Sequence, residues 1–339
     1  MKSKKILYVG TEFETNLEGK GKSLNFNGWY LNFKVLKHNV QKVTFTSNSD
    51  QSIDKKLLIK VKNFNPEIIF FVLQKSQVSQ KTLKLLKDKA YLINFFQDDN
   101  WRFYSHTNIY AKYFDLCLTN DVFSIEKYNK LNIENIIHIQ WASLRPKISN
   151  HPKKYKYDVS FIGAYSSYRN WLVKVLAKKG VYVDCFGVGW KNGNIDYTQF
   201  EEIIRESRIN LNLPNSISYD IRYLFKNPKS LMSNMKNFIL KKGKNSSEIK
   251  ARIFEITAMK GFLLTDYVPS IELYFDLKND ITCFSSVDEL YNLIVYYLEN
   301  KDERERKRIN GFNNSINNHL FEHRIKKIMD HYESTFKNH

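Results

Sequence analysis

The chain has 339 residues, 42% of them hydrophobic and 15% aromatic, with 53 Lys and Arg against 35 Asp and Glu for a formal net charge of +18. That length suits two domains of roughly 100–200 residues each, and the apolar content excludes a disordered chain despite the many Asn and Lys residues. The charge favours an anionic partner such as nucleic acid, an acidic membrane face or a phosphorylated substrate, although much of the Lys also reads as solvated surface.

No apolar run approaches the roughly 18 residues of a membrane span. The N-terminal stretch MKSKKILYVGTEFE holds too short an apolar run for a secretory signal, so a cytoplasmic protein is expected. Cys117, Cys185 and Cys283 lie far apart in apolar surroundings and form neither a CxxC metal pattern nor a disulfide framework, so they are read as reduced core residues.

In chain order, KILYVG (5–10) reads as a strand, and residues 27–39 carry Trp29, Tyr30, Phe33 and Leu36 at helical spacing. Strand patterns follow at 40–46, 66–73, 91–99, 114–120 and 135–142. Helical patterns separate them at 54–64, 79–89, 106–113 and 121–131. Continuous apolar strands between helices predict a parallel sheet covered on both faces, a doubly wound α/β domain.

Residues 142–156, ASLRPKISNHPKKYK, have linker composition with two prolines. The alternation then restarts, with strands at 157–163, 181–187, 208–214 and 261–266 and helices at 166–179, 198–207, 248–260 and 286–300. The organisation expected is therefore an N-terminal domain over 1–148 and a second over 157–317, with an amphipathic helix over 318–336 packing back on the first. Residues 216–247 break the pattern as a basic amphipathic insertion. Such a segment suits an anionic membrane surface, and equally a helix covering the edge of its own domain.

The second domain opens with SFIGAYSSYRNW, a strand, a turn at Gly163 and a helix whose first N–H groups and dipole suit a phosphate, with Arg169 in the first turn to add a charge-assisted bond. Further on, Lys250, Arg252 and Glu255 share one predicted helix that begins at the carboxyl ends of the strands, where open α/β sheets bind ligands. Cations for a diphosphate beside a carboxylate for sugar hydroxyls match a nucleotide-sugar. The same residues also fit an ordinary i,i+3 salt bridge. In the first domain, Asp98 and Asp99 end a strand and are suited to orienting or deprotonating an acceptor hydroxyl, or to capping a loop and pairing with Arg102. Glu12 and Glu14 follow the first strand on what would be the acceptor side.

The run from Lys250 to Thr265, K-x-R-x-F-E-x-x-A-x-x-G-x-x-L-T, followed by Phe275, an acidic strand at Asp280 and the pair Glu289 and Leu290, resembles the CgeB-like glycosyltransferases, related to the group 1 (GT4-type) retaining enzymes of the GT-B fold. The likeness extends over most of 157–330 and loosely into the first half. It implies two Rossmann-like doubly wound domains with a cleft between them. It also implies an NDP-sugar donor, UDP- or GDP-linked, on the second domain. The acceptor, mainly on the first, would be a glycan, a lipid-linked glycan or a protein, as in cell-surface glycan biosynthesis.

Glu255 matches the second acid of the family's E-x7-E motif, which holds the donor ribose. The first falls on Ser247, leaving the neighbouring Glu248 as the weaker candidate. Arg169 with Lys250 or Arg252 would face the diphosphate, without a metal or other cofactor. The competing readings are a non-catalytic sugar-binding scaffold on the same fold and a basic nucleic-acid-binding protein, which the charge spread along the chain and the lack of a recognised binding motif disfavour.

Overall fold

The computed structural model describes residues 2–13, 21–45, 52–73, 75–147, 154–214, 220–226, 232 and 248–337. Glu14, Ser247 and most of the basic insertion lie outside the described residues. The chain divides into two compact units, 1–144 with 321–339, and 145–320.

The first unit is built on a six-stranded, wholly parallel sheet: β1 (Lys5–Gly10), β2 (Asn39–Thr44), β3 (Ile68–Phe71), β4 (Tyr91–Phe96), β5 (Leu116–Thr119) and β6 (Ile136–His138), in the order β2-β1-β3-β4-β5-β6. Alternate residues of each strand serve opposite faces. Leu7, Val9, Ile69 and Phe71 meet α2 (Ser52–Phe64) and α3 (Gln80–Leu86), through Leu57, Val61, Leu83 and Leu86. On the other face Trp29 is fully buried, its ring 5.1 Å from Phe70, 5.1 Å from Phe95 and 5.0 Å from Phe321. Each such ring pair adds about 1 kcal/mol beyond the area it buries.

The helix expected over 27–39 is a π-helical turn, Phe26–Leu31, followed by a short α1 (Asn32–Val35). Lys37, at φ 65°, turns the chain back toward β2. The helix expected over 106–113 is likewise divided, into a π-turn (Phe103–Thr107), α5 (Asn108–Tyr110) and a 3₁₀ turn (Ala111–Tyr113), preceded by the single turn α4 (Asp99–Arg102). α6 (Ile125–Asn129) connects β5 to β6. The terminal helix, α13 (Phe321–Lys337), packs in the first unit, where Arg324 donates to the carbonyls of Gln140 and Trp141 at 3.0 and 3.1 Å.

The second unit repeats the plan with five parallel strands: β7 (Tyr157–Ile162), β8 (Asp184–Phe186), β9 (Ser207–Asn212), β10 (Leu263–Asp266) and β11 (Thr282–Phe284), in the order β11-β10-β9-β7-β8. Strand order reverses between β7 and β9 here and between β1 and β3 in the first unit, and such switch points open the crevice that α/β sheets use for ligands. The helices are α7 (Ser167–Lys178), α8 (Tyr197–Glu206), α9 (Ile221–Lys226), α10 (Ala251–Ala258), α11 (Val287–Glu299) and α12 (Lys301–Asn318). Within the basic insertion, the described helix α9 buries Tyr223 against Tyr168 and Trp171, at 5.4 and 5.6 Å, while Phe225 is exposed.

α12 is the element that apolar periodicity does not reveal. Its buried positions are Arg304, Lys307, Arg308, Gly311 and Ser315, spaced as a helix stripe but filled with cations and small residues. Arg304 donates to the Tyr297 carbonyl, and Lys307 to those of Leu277 and Ile281, both at 3.1 Å. Long cationic side chains thus satisfy backbone oxygens of neighbouring segments, which buried carbonyls require. Gly311 and the Thr257–Ser315 hydroxyl pair, 2.6 Å apart, let α12 approach α10 and the loop at Asp280 closely. A Cβ on Gly311 would lie 2.6 Å from the Asp280 carbonyl oxygen.

Candidate functional site

In a parallel α/β sheet each helix begins where the preceding strand ends, so the N-terminal turns of α7, α8 and α10 all lie at the carboxyl edge of the second sheet. Ser166 caps α7, its hydroxyl accepting from the Arg169 N–H at 3.2 Å. The Asp196 and Gln199 capping box starts α8, and α10 starts after Lys250, whose own side chain makes no capping bond. These starts bring together four of the side chains that matter, Arg169, Tyr197, Arg252 and Glu255.

Arg169 reaches across the switch point. Its Nε and Nη2 donate to the Leu213 carbonyl at 3.0 and 2.7 Å and its Nη1 to that of Ala164 at 2.7 Å, stitching the loop after β7 to the end of β9. Burial, and then the Arg252 guanidinium nearby, lower the Arg169 pKa from its ordinary value. Arg252 lies 4.2 Å over the Phe200 ring and 3.4 Å from the carboxylate of the buried Glu255. Burial first, and then the Glu255 charge, push the Tyr197 phenol well above its usual range. Two guanidiniums are thus held near one another, with Glu255 of α10 and the buried Glu201 of α8 both near Tyr197, and fixed cations of this kind suit the phosphates of a polyanion.

One expectation for this unit changes. Gly163 is not a free phosphate cradle: its N–H donates to the Phe186 carbonyl at 2.9 Å, and its own carbonyl accepts from the Trp190 indole at 3.0 Å. The reason is the tight turn after β8, where Gly187 has φ 119° and a Cβ would come within 2.5 Å of the Gly163 oxygen. Lys250 has its ammonium 2.5 Å from Glu248, and Arg252 is the cation of the pair that stands beside Glu255. Sequence reading missed Tyr197, Phe200 and Trp190; the capping box at Asp196 and Gln199 was the available signal for the first two.

At the carboxyl edge of the first unit the two adjacent aspartates part company. Asp99 is fully buried, and its carboxylate accepts from the Thr107 and Tyr128 hydroxyls, each at 2.6 Å. Burial raises its pKa to about 6 in spite of those bonds. The expectation that Asp99 meets an acceptor is therefore corrected: it anchors α4, the 103–107 turn and α6 to one another. Asp98 is half-buried and holds the left-handed conformation, φ 60°, with its N–H on Asn120 Oδ1 at 3.2 Å and its carboxylate 3.8 Å from Arg102. Such a backbone is uncommon outside glycine and marks a position fixed by its surroundings. Arg102 stacks 4.5 Å over Trp101. Glu12 pairs with Lys42 at 2.5 Å.

Among the described residues no helix is long and apolar enough to cross a membrane, and no three His, Cys, Asp or Glu side chains gather as metal ligands would. The Cys185 and Cys283 thiols are pushed up to about 12 by burial, which makes them poor nucleophiles.

Residues 169–330 match a family model described as glycosyl transferase-like. No curated protein sequence matches the chain. Among solved structures, a glycosyltransferase from Rickettsia africae is 13% identical, with each chain covered in full and a TM-score of 0.65. Anabaena HepE, solved with UDP and glucose, is 11% identical over 98% of this chain and 100% of that one, with a TM-score of 0.62. Sucrose-phosphate synthase from Thermosynechococcus elongatus is 8% identical over 99% of this chain and 100% of that one, at 0.63. The two parallel-sheet α/β units thus have the GT-B glycosyltransferase fold, and these findings together support a glycosyltransferase.

Proposed function

We propose that the protein transfers a sugar from a nucleoside-diphosphate donor to a hydroxyl of a glycan, lipid-linked or protein acceptor, with the donor on the second unit. The observation that carries this reading is the pairing of Arg169 and Arg252 beside Glu255 at the switch point of the second sheet. Arg252, with Arg169 behind it, balances the charge that grows on the diphosphate as its bond to the anomeric carbon breaks, and cations fixed in advance need no reorganisation at that moment. Glu255 accepts hydrogen bonds from the nucleoside ribose hydroxyls, which a carboxylate suits.

On the first unit, Asp98 is the carboxylate that orients the acceptor hydroxyl and takes its proton. The donor is a co-substrate, and protein cations rather than a metal face its phosphates. A UDP-linked donor draws support from HepE, whose structures hold UDP, glucose and UDP-glucose. Retention of anomeric configuration and kinship with the CgeB-like group rest on the Lys250 to Thr265 run.

A thermal-shift series with UDP-, GDP-, dTDP- and CMP-sugars on wild type and Glu255→Ala tests the reading. One nucleotide class is expected to raise the wild-type melting temperature, and that shift is expected to shrink in the variant. No shift with any donor, or an equal shift in both proteins, contradicts it.

A further inference from the structure

Both faces of the first unit's sheet are basic, and the α2–α3 face is the more densely so. Ile53, Leu57, Val61 and Phe64 of α2 and Leu83 and Leu86 of α3 turn inward onto the sheet. Helix periodicity then turns the intervening residues outward. In α2 these include Lys55, Lys56, Ile59 and Lys62, and in α3 and the turn after it Lys81, Lys84, Leu85, Lys87 and Lys89, all exposed. The side-by-side helices, counted over 52–64 and 80–89, hold eight lysines against Asp54 and Asp88. On the opposite face, α1 and the turn after it carry Lys34 and Lys37 without an acid, and α13 sets Arg324, Lys326, Lys327 and Lys337 against Glu322, Asp330 and Glu333, so that face carries about half the net charge of the α2–α3 face. The denser lysine cluster on α2 and α3 suits an anionic surface on that side.

We propose that the α2–α3 face docks on a phospholipid bilayer that carries anionic headgroups. Two features select a bilayer over a nucleic acid. Ile59 and Leu85, 51% and 52% exposed, stand among the lysines, where they can enter the boundary between headgroups and acyl chains. The cations are all flexible lysines, with no Arg in either stretch to fork onto phosphates or bases and no exposed aromatic ring on which a base would stack. The lysines act together, because each ammonium near such a surface is worth about fivefold in binding.

Flotation with vesicles of phosphatidylcholine alone, and of phosphatidylcholine mixed with phosphatidylglycerol, tests the surface. Wild type is expected to float with the mixed vesicles at low salt and not with the neutral ones. Combining Lys55→Gln, Lys62→Gln and Lys84→Gln is expected to weaken binding about a hundredfold. The same charge removed elsewhere, by Lys178→Gln, Lys278→Gln and Lys301→Gln, is expected to leave it unchanged. Combining Ile59→Ser with Leu85→Ser keeps every charge and is expected to weaken binding to the mixed vesicles. Equal loss in the two lysine triples, equal binding to neutral vesicles, or binding to duplex DNA or RNA that the α2–α3 triple abolishes while vesicle binding persists would each overturn the proposal.

Discussion

The two units share one strand order around their switch points yet furnish the carboxyl edges of their sheets with different chemistry. In the second unit the edge collects Arg169 and Arg252 around Glu255. In the first it collects carboxamides, with Asn25 donating to Gln97 at 3.2 Å and Gln140 donating to the Asn120 carbonyl at 2.9 Å, beside three half-buried acids, Glu12 paired with Lys42, Asp121 capping the turn after β5, and Asp98. The same backbone frame thus offers two neighbouring guanidiniums on one unit and carboxamides with hydrogen-bonded acids on the other. A diphosphate requires the first and sugar hydroxyls the second, so the lesson is that function lies in the edge residues and not in the frame that holds them.

That contrast can be broken one unit at a time. The largest effect is expected from Asp98→Asn, chosen because Asn tolerates the left-handed backbone. It should lower turnover by about 10²- to 10⁴-fold, the range for loss of an acid–base group, while donor affinity stays at the wild-type level. Steady-state kinetics with a donor titration would show this, and a parallel loss of donor affinity would contradict the division of labour between the units.

A smaller effect separates Asp99 from its neighbour. Because burial raises its pKa from 3.8 to about 6, the folded state favours the protonated carboxyl. The resulting stability is fully present below pH 3.8 and is lost as pH rises through about 6. His106 and His138 act in the opposite sense: burial lowers each to about 4, so the stability they contribute is lost as pH falls from 6.5 toward 4. The difference in melting temperature between wild type and Asp99→Asn isolates the carboxyl, and wild type is expected to lose ground to the variant across pH 3.8 to 6. A constant difference over that window would show that Asp99 does not titrate there.

Much of this was readable before the structure. The strands were legible because a parallel sheet buried on both faces writes continuous apolar runs such as IIFF in β3, every residue of which is buried. Placing Arg169, Arg252 and Glu255 at one edge followed from helices that begin at strand ends. What stayed hidden depended on contacts between distant segments. α12 was invisible because its inward stripe is Arg304, Lys307 and Arg308, side chains that mimic a solvent-facing helix until their carbonyl partners are known. Asp98 and Asp99 could not be told apart because one residue of turn geometry decides which enters the Thr107 and Tyr128 cage. Gly163 gave a turn, but its pairing with Phe186 and Trp190 depends on the loop after β8.

The central claim is that the second unit holds the nucleoside diphosphate through Arg252, and isothermal titration of UDP into wild type, Arg252→Ala and Asp98→Asn tests it most directly. Loss of a charge-assisted bond costs about 1.5–3 kcal/mol, so UDP is expected to bind Arg252→Ala roughly 10- to 100-fold more weakly and Asp98→Asn as tightly as wild type. Equal affinity in wild type and Arg252→Ala would contradict the account.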